Sequence, residues 1–195
     1  MFTRILTTLM FVFLIPLSAY SADGRCTTGD CRSGSGTFVF NDGSKYVGQF
    51  SEGMPGGQGI MDIKGGDQYT GGYKDGVRFG KGTMKYANGD IYEGEWQYGE
   101  PSGNGVLTLA DESKYEGAFG NGAYHGRGTF YYTDGSVYSG EFKNAIMAGE
   151  GASTRPEGWK YEGHFAHGQP HGRPCTDTKP LNACQAMHPI GYKLL

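Results

Sequence analysis

The side chains with the clearest chemical potential are three histidines near the carboxyl end of the chain: His164, His167 and His171. Glu162 and Asp177 lie close to them in the sequence. Imidazole and carboxylate groups bind zinc, so this segment is a possible metal site. The spacing matches no strong zinc motif, however, and solvent-exposed histidines in a loop would give the same pattern. The sequence therefore predicts no cofactor, and these three histidines are the candidate ligands if a metal does bind.

Patterns typical of catalysis are missing. The sequence contains no Gly-x-Ser-x-Gly elbow, no phosphate-binding loop and no Gly-x-Gly-x-x-Gly motif. Acidic pairs such as Glu93 and Glu95 are spaced as on one face of a strand, where a solvated surface is the ordinary interpretation. A glycosidase needs a cleft between its two carboxylates, which a simple sheet does not offer. We predict that the protein is not an enzyme.

The elements that must position these groups belong to a repeat. A tyrosine recurs every 23 residues, and the column consists of Tyr46, Tyr69, Tyr92, Tyr115, Tyr138 and Tyr161. A glycine follows each tyrosine two residues later, in the column Gly48, Gly71, Gly94, Gly117, Gly140 and Gly163. Each unit then has an aromatic residue, a loop and a Gly-x-Gly pair. An unbroken period of this length predicts an array of stacked units rather than one globule.

One unit, residues 92–114, shows the local structure. Tyr92, Gly94 and Trp96 alternate with charged residues, which is the period of a strand with one apolar face. Residues 97–102 are predicted to form a polar loop, and residues 103–109 a second alternating strand. Because Asn-Gly and Asp-Gly turns join most units, every connection is short and neighbouring strands are antiparallel. The predicted fold is all-β: an elongated, open and twisted sheet built as a meander of stacked hairpins.

The repeat resembles a known family. Tyr92, Gly94, Trp96, Gly99 and Gly103, with their equivalents in the other units, are similar to the MORN repeat. The resemblance extends from Gly34 to about Arg173 and includes roughly six and a half repeats. It implies an elongated antiparallel β-rod used for protein contacts, self-association or scaffolding near membranes. Nothing beyond the array is long enough to form a catalytic domain.

The ends of the chain differ from the array. Residues 1–21 resemble a secretory signal peptide, with Arg4, an apolar run and small residues that favour cleavage after Ser21. An uncleaved anchor is the alternative, although the apolar run is shorter than a membrane-spanning helix needs. We divide the rest into an amino-terminal cap (22–33), the array (34–174) and a carboxyl-terminal tail (175–195). The predicted location is periplasmic or secreted.

Four cysteines lie outside the repeats, with Cys26 and Cys31 at one end and Cys175 and Cys184 at the other. Export and an even count favour disulfides over free thiols. A straight array of about a dozen strands spans roughly 55 Å, whereas bonded cysteines need Cα atoms within about 7 Å. We therefore expect the bridges Cys26–Cys31 and Cys175–Cys184, each closing an end of the sheet.

Three positions depart from the repeat. Glu112 stands where most units have a turn glycine, and Pro174 ends the second glycine column. In the fifth unit, an apolar segment that contains Ile146 and Met147 replaces the polar loop. An exposed apolar loop reduces solubility unless something covers it, so these two residues are a candidate partner contact. Local repacking is the alternative.

The sequence favours a non-catalytic exported protein that binds a protein partner or acts as a scaffold. Its net charge of −3, with no basic run, argues against nucleic acid and against electrostatic attraction to an anionic membrane. Peripheral membrane association and cell-wall or carbohydrate binding remain the alternatives, and self-association is possible for an open sheet. The sequence does not identify the partner.

Overall fold

A computed structural model describes residues 23–171 of the chain, which form one antiparallel sheet. Fourteen strands follow one another in chain order, and each is hydrogen-bonded to its neighbours in sequence. The strands are β1 (Gly24–Gly29), β2 (Ser35–Phe40), β3 (Lys45–Ser51), β4 (Met54–Asp62), β5 (Gln68–Lys74), β6 (Val77–Lys85), β7 (Ile91–Gln97), β8 (Glu100–Thr108), β9 (Lys114–Gly120), β10 (Ala123–Tyr131), β11 (Val137–Lys143), β12 (Ile146–Thr154), β13 (Lys160–Ala166) and β14 (Gln169–Pro170). Nowhere in this range is there a helix long and apolar enough to cross a membrane. The predicted open meander of hairpins is confirmed.

The five units from β3 to β12 are hairpins with a seven-residue and a nine-residue strand, as in β7 and β8. The polar loop predicted over residues 97–102 is wrong, because only Tyr98 and Gly99 lie between these two strands. Both residues have positive φ, at 53° and 85°. Positive φ at both central positions defines the type I′ turn, whose twist suits tightly paired strands. Of the remaining residues of the predicted loop, Gln97 belongs to β7 and residues 100–102 belong to β8.

A β-bulge absorbs the extra residues of the longer strand. Gly94 pairs with Gly105, but the next residue, Glu95, pairs with Ser102. The skipped Gly103 has φ 59°, a conformation that is easy for glycine. The same register shift occurs in the other hairpins that join a seven-residue and a nine-residue strand. Because a bulge increases local twist, its repetition gives the sheet its twist.

The tyrosine column forms the core of the sheet. Tyr92 is buried, and its ring occupies the space that side chains at Gly94 and Gly105 would need. Its hydroxyl donates to the Glu95 carbonyl at 2.8 Å, which satisfies a backbone group at the bulge. The other five tyrosines of the column bond in the same way to the carbonyl three residues later. The tyrosine rings therefore pack directly over the glycine columns, and each column needs the other.

The core is continuous between repeats because the rings contact one another across units. Trp96 lies edge-on to Tyr92 of its own unit at 5.2 Å and to Tyr69 of the preceding unit at 5.0 Å. The edge-to-face geometry is favourable for aromatic pairs, and a single hairpin could not bury these rings alone. We call the face that carries these rings the inner face and the opposite face the outer face. Most of the side chains on the inner face belong to the core.

Candidate functional site

The outer face carries a line of neutral side chains across the first strands. The register aligns Thr37, Val47, Ile60, Thr70 and Thr83 across β2 to β6, and all five are β-branched and uncharged. We call these five residues the β-branched strip. Val47 and Ile60 pair directly across β3 and β4, and their exposed fractions are 40% and 41%. Because the core lies on the other face, the fold does not use these two apolar side chains.

The same line changes character in the middle of the sheet. After Thr83 it continues through Glu93, Val106 and Glu116, so carboxylates replace methyl groups. Beside the β-branched strip, Lys45 is paired with Asp62 at 3.0 Å. A hydrogen bond from Gln68 and the ion pair with Lys45 lower the pKa of the Asp62 carboxyl. The surface around Val47 and Ile60 is therefore locally neutral.

Two further aromatic residues are exposed in the middle repeats. Phe79 projects from the outer face of β6, and the Lys74 ammonium lies 5.5 Å from its ring centroid. Tyr98 occupies the first position of its turn and is 77% exposed. A bulky residue is rare in the left-handed region, so Tyr98 adds conformational strain without adding to the core. Neither residue was identified as a candidate from the sequence.

On the inner face, one column contains a charge among apolar neighbours. Its members are Pro55, Arg78, Pro101, Tyr124, Met147 and Pro170. The Arg78 guanidinium carbon lies 4.6 Å from the Trp96 ring centroid and 5.7 Å from that of Tyr69. Burial lowers the pKa of Arg78 and raises that of Tyr69 to about 12. Arg78 is therefore a cation held within the aromatic core layer.

The structure separates the two residues of the predicted partner contact. Ile146 and Met147 begin strand β12, so the prediction of an apolar loop at this point is wrong. Asn144 and Ala145 form a two-residue turn instead, with φ 50° and 64°. Met147 is 7% exposed and its sulfur accepts a weak hydrogen bond from a tyrosine hydroxyl, whereas Ile146 is 39% exposed. Local repacking accounts for Met147, and a contact at Ile146 remains a prediction.

The candidate metal ligands are close but not convergent. His164 Nδ1 lies 3.3 Å from Glu150 Oε1, and the rings of His164 and His171 are 6.3 Å apart. His167 occupies the turn between β13 and β14 with φ 53°. Within residues 23–171, no three histidine, cysteine or acidic side chains are grouped to hold a metal ion. Asp177 lies outside the described residues.

A shallow depression lies on the outer face near the same histidine. Arg127, Ser139, Glu150 and Glu162 surround it, and glycine and alanine residues form its floor. It exists because these small residues leave the backbone uncovered. Glu150 contacts His164, and the open shape does not bring two carboxylates together around an enclosed volume.

The amino-terminal cysteine segment extends the sheet. Cys26 lies in β1 and pairs with Phe38, and its sulfur is adjacent to that of Cys31 with Cα atoms 5.9 Å apart. All six residues of β1 are exposed, so this segment adds a strand and becomes the new edge. Cys175, Cys184 and the tail (175–195) lie outside the described residues, as do residues 1–21 and Pro174.

Two positions that the structure highlights were missed in the sequence. Arg78 was hidden because the corresponding residues of each unit were assigned to a loop, so their inner-face column was not recognised. Ala145 stands where other turns of this type have glycine. Glu112, which the sequence aligns with turn glycines, has φ 72°. Aligning the units by their turns as well as by their tyrosines would have revealed the first two.

Comparisons with known proteins agree with this geometry. The MORN repeat family model matches seven consecutive segments, at residues 32–45, 46–68, 69–91, 92–114, 115–137, 138–160 and 161–173. No curated protein matches the chain. A similar solved structure is the SAS-4 (dCPAP) TCP domain in complex with a proline-rich motif of Ana2 (dSTIL) from Drosophila melanogaster, with 13% identity and a TM-score of 0.32. The match covers 78% of this chain and 92% of that one. A similarity this weak carries no inference about function.

Proposed function

This chain belongs to the MORN repeat family, whose members are generally protein- or membrane-binding modules, and on that premise we propose that it is a non-catalytic scaffold that binds a protein partner. The binding surface is the β-branched strip on the outer face. The sheet presents this surface as one row of side chains on paired strands. A partner can therefore be held without any chemical step.

The exposure of Val47 and Ile60 supports this proposal. The two side chains are adjacent across β3 and β4 and remain about two-fifths exposed. Burying apolar area contributes roughly 25 cal/mol per Å², so a partner that covers this pair gains free energy that folding does not use. A contiguous apolar group with a polar surround is typical of protein interaction sites.

Charge favours a protein partner over a membrane. Attraction to anionic lipid needs a cluster of unpaired basic residues near the surface. Beside the β-branched strip, Lys45 is already paired with Asp62, and the whole chain has a net charge of −3. In liposome flotation we expect the protein to stay with the dense fraction, with either neutral or anionic vesicles. Flotation with anionic vesicles would favour membrane binding instead.

A matched pair of variants tests the proposed surface. Ile60 and Val106 occupy the same column of the outer face, two repeats apart, but only Ile60 lies in the β-branched strip. We expect chemical crosslinking in the native compartment to capture the same partner with wild type and Val106→Lys, and to lose it with Ile60→Lys. Equal capture by both variants would refute the proposed surface, and circular dichroism shows whether both variants fold.

We also propose that the protein is exported, with its signal removed after Ser21 and a disulfide between Cys26 and Cys31. The residue pattern of 1–21 and the 5.9 Å Cα separation of the two cysteines support this. Mass spectrometry of the native protein is expected to find Ala22 as the first residue and no alkylation of Cys26 or Cys31 before reduction. Retention of Met1 with both thiols alkylated would contradict the proposal.

A further inference from the structure

The position of Arg78 does not require a charged side chain. Equivalent residues in other repeats are Pro55, Pro101, Tyr124 and Met147, and each of them is buried. The Tyr124 ring stacks on the column tyrosine of its own unit at 4.2 Å, with the two planes 16° apart. The same site on the inner face therefore accepts a flat or an apolar group. Packing alone explains the size of Arg78 but not its charge.

The surroundings of Arg78 leave its hydrogen-bond donors unused. The guanidinium lies over the Trp96 ring and near the Tyr69 ring, so the two rings contact its flat face. An arginine has five N–H donors in the plane of the group, and stacking does not occupy them. Within residues 23–171, no hydrogen bond or ion pair to the guanidinium is present. The side chain is partly exposed, so these donors can be reached from outside.

We propose that Arg78 is the recognition residue of a carboxylate-binding site on the inner face, with Trp96 and Tyr69 fixing the plane of its guanidinium. A carboxylate matches the guanidinium fork and accepts two parallel hydrogen bonds. The hydroxyl of Tyr86, a partly buried residue packed against the core, is a candidate for an additional donor. Among the described residues that hydroxyl has no hydrogen-bond partner.

The local charge selects a monoanion. Burial lowers the pKa of Arg78 and the Asp67 carboxylate raises it, and Asp67 already accepts a hydrogen bond from the Ala87 N–H at 2.9 Å. A single cation can neutralise a monoanion, whereas a phosphate dianion would keep one charge without a partner. Sites for phosphate usually have more than one donor cation or a set of backbone N–H groups.

Replacing Arg78 with methionine separates recognition from structure. Methionine already fills the equivalent position at Met147, so the core can accept it. Because Arg78 is only partly exposed and has no ion-pair partner among the described residues, an apolar side chain of similar volume leaves no opposite charge unpaired. We therefore expect Arg78→Met to abolish carboxylate binding while the melting temperature stays the same or rises. If Arg78 had only a structural role, Arg78→Met would lower the melting temperature and leave the response to carboxylate unchanged.

Trp96 provides the direct measurement. The chain has only two tryptophans, so Trp159→Phe makes Trp96 the sole tryptophan reporter. Sodium acetate is titrated against sodium chloride at equal ionic strength. We expect a saturable change in Trp96 emission with acetate, at least tenfold weaker in Arg78→Met and intermediate in Arg78→Lys, which keeps the charge but loses the fork. Acetate responses that are linear, or equal in wild type and Arg78→Met, would overturn the proposal.

Two additional probes define the ligand. Inorganic phosphate is expected to bind more weakly than acetate, and tighter phosphate binding would overturn the assignment to carboxylates. N-acetylglutamic acid amide is compared with its glutamine counterpart to test a side chain within a peptide. Tighter binding of the glutamate compound than of acetate indicates a protein carboxylate, whereas equal binding indicates a small free carboxylate; both support the site. Ile60→Lys is expected to leave the acetate response unchanged, which separates this site from the proposed partner surface.

Discussion

Replacing Ala145 with glycine should make the protein more stable. The hairpin turns have positive φ at both central residues, and the second of these is glycine at Gly53, Gly76, Gly99, Gly122 and Gly168. Ala145 takes this position in the fifth unit with φ 64°. A left-handed conformation costs a non-glycine residue roughly 1–2 kcal/mol, while glycine loses about 0.4–1 kcal/mol through the greater freedom of the unfolded chain.

The net gain from Ala145→Gly is then about 0.5–1 kcal/mol of unfolding free energy. For a domain of this size, that is a rise in melting temperature of about 1–4 °C. The Ala145 N–H donates to the Tyr124 carbonyl at 2.9 Å, and glycine keeps this bond. Thermal unfolding followed by circular dichroism measures the change.

Gly122→Ala is the matched control in the preceding turn. Gly122 has φ 76°, and a Cβ built there would meet no atom within 4 Å, so only the backbone conformation is penalised. We expect a loss of stability about equal to the gain from Ala145→Gly. The strain argument would be refuted by an unchanged or lower melting temperature for Ala145→Gly together with an unchanged one for Gly122→Ala.

Three further predictions concern the core. Tyr92→Phe removes the hydroxyl that donates to the Glu95 carbonyl and should lower the free energy of unfolding, measured in urea, by about 1 kcal/mol. Tyr98→Phe, at an exposed turn, should leave that free energy almost unchanged. Equal losses of stability in the two variants would contradict the role of the column hydroxyl. Met147→Ser should lower the free energy of unfolding by about 2–4 kcal/mol because the side chain is buried. Ile146→Ser should change it by less than about 0.5 kcal/mol. A larger effect at Ile146 would mean that this residue also belongs to the core. The protein should lose stability in alkali. Burial raises the pKa of several column tyrosines to about 12, from 10.0, so the folded state holds more protons there; its stabilisation is complete below pH 10 and is lost as the pH rises towards 12. These tyrosines are Tyr69, Tyr115 and Tyr138. Ultraviolet titration of tyrosinate alongside circular dichroism checks this, and ionisation of the whole column without unfolding would contradict it.

The 23-residue period and the alternation within each unit were enough to predict the meander and the two faces of its sheet. Strand alternation fixes which side chains share a face, so Tyr92 and Trp96 could be assigned to the core from sequence alone. The exact ends of the strands could not be predicted in this way. A bulge shifts the register of the paired strands. The position of that shift depends on which glycine adopts positive φ, as Gly103 does.

That one uncertainty accounts for both errors at the candidate sites. Because residues 97–102 and their equivalents were predicted to be a loop, Met147 was predicted to be exposed and Arg78 was not recognised as a candidate. In the folded sheet, the two-residue turn returns both positions to the inner face, where Met147 is buried and Arg78 stacks on Trp96. Side-chain contacts between units, rather than the pattern within one unit, decide which departures from the repeat bear on function.

Site-specific photo-crosslinking tests the central claim most directly. A photoreactive side chain is placed at Ile60 or at Val106, the equivalent position outside the β-branched strip, and the protein is irradiated in its native compartment. We predict a discrete adduct with one partner protein from Ile60 and none from Val106. Adducts of equal yield from both positions, or from Val106 alone, would contradict the proposed partner surface.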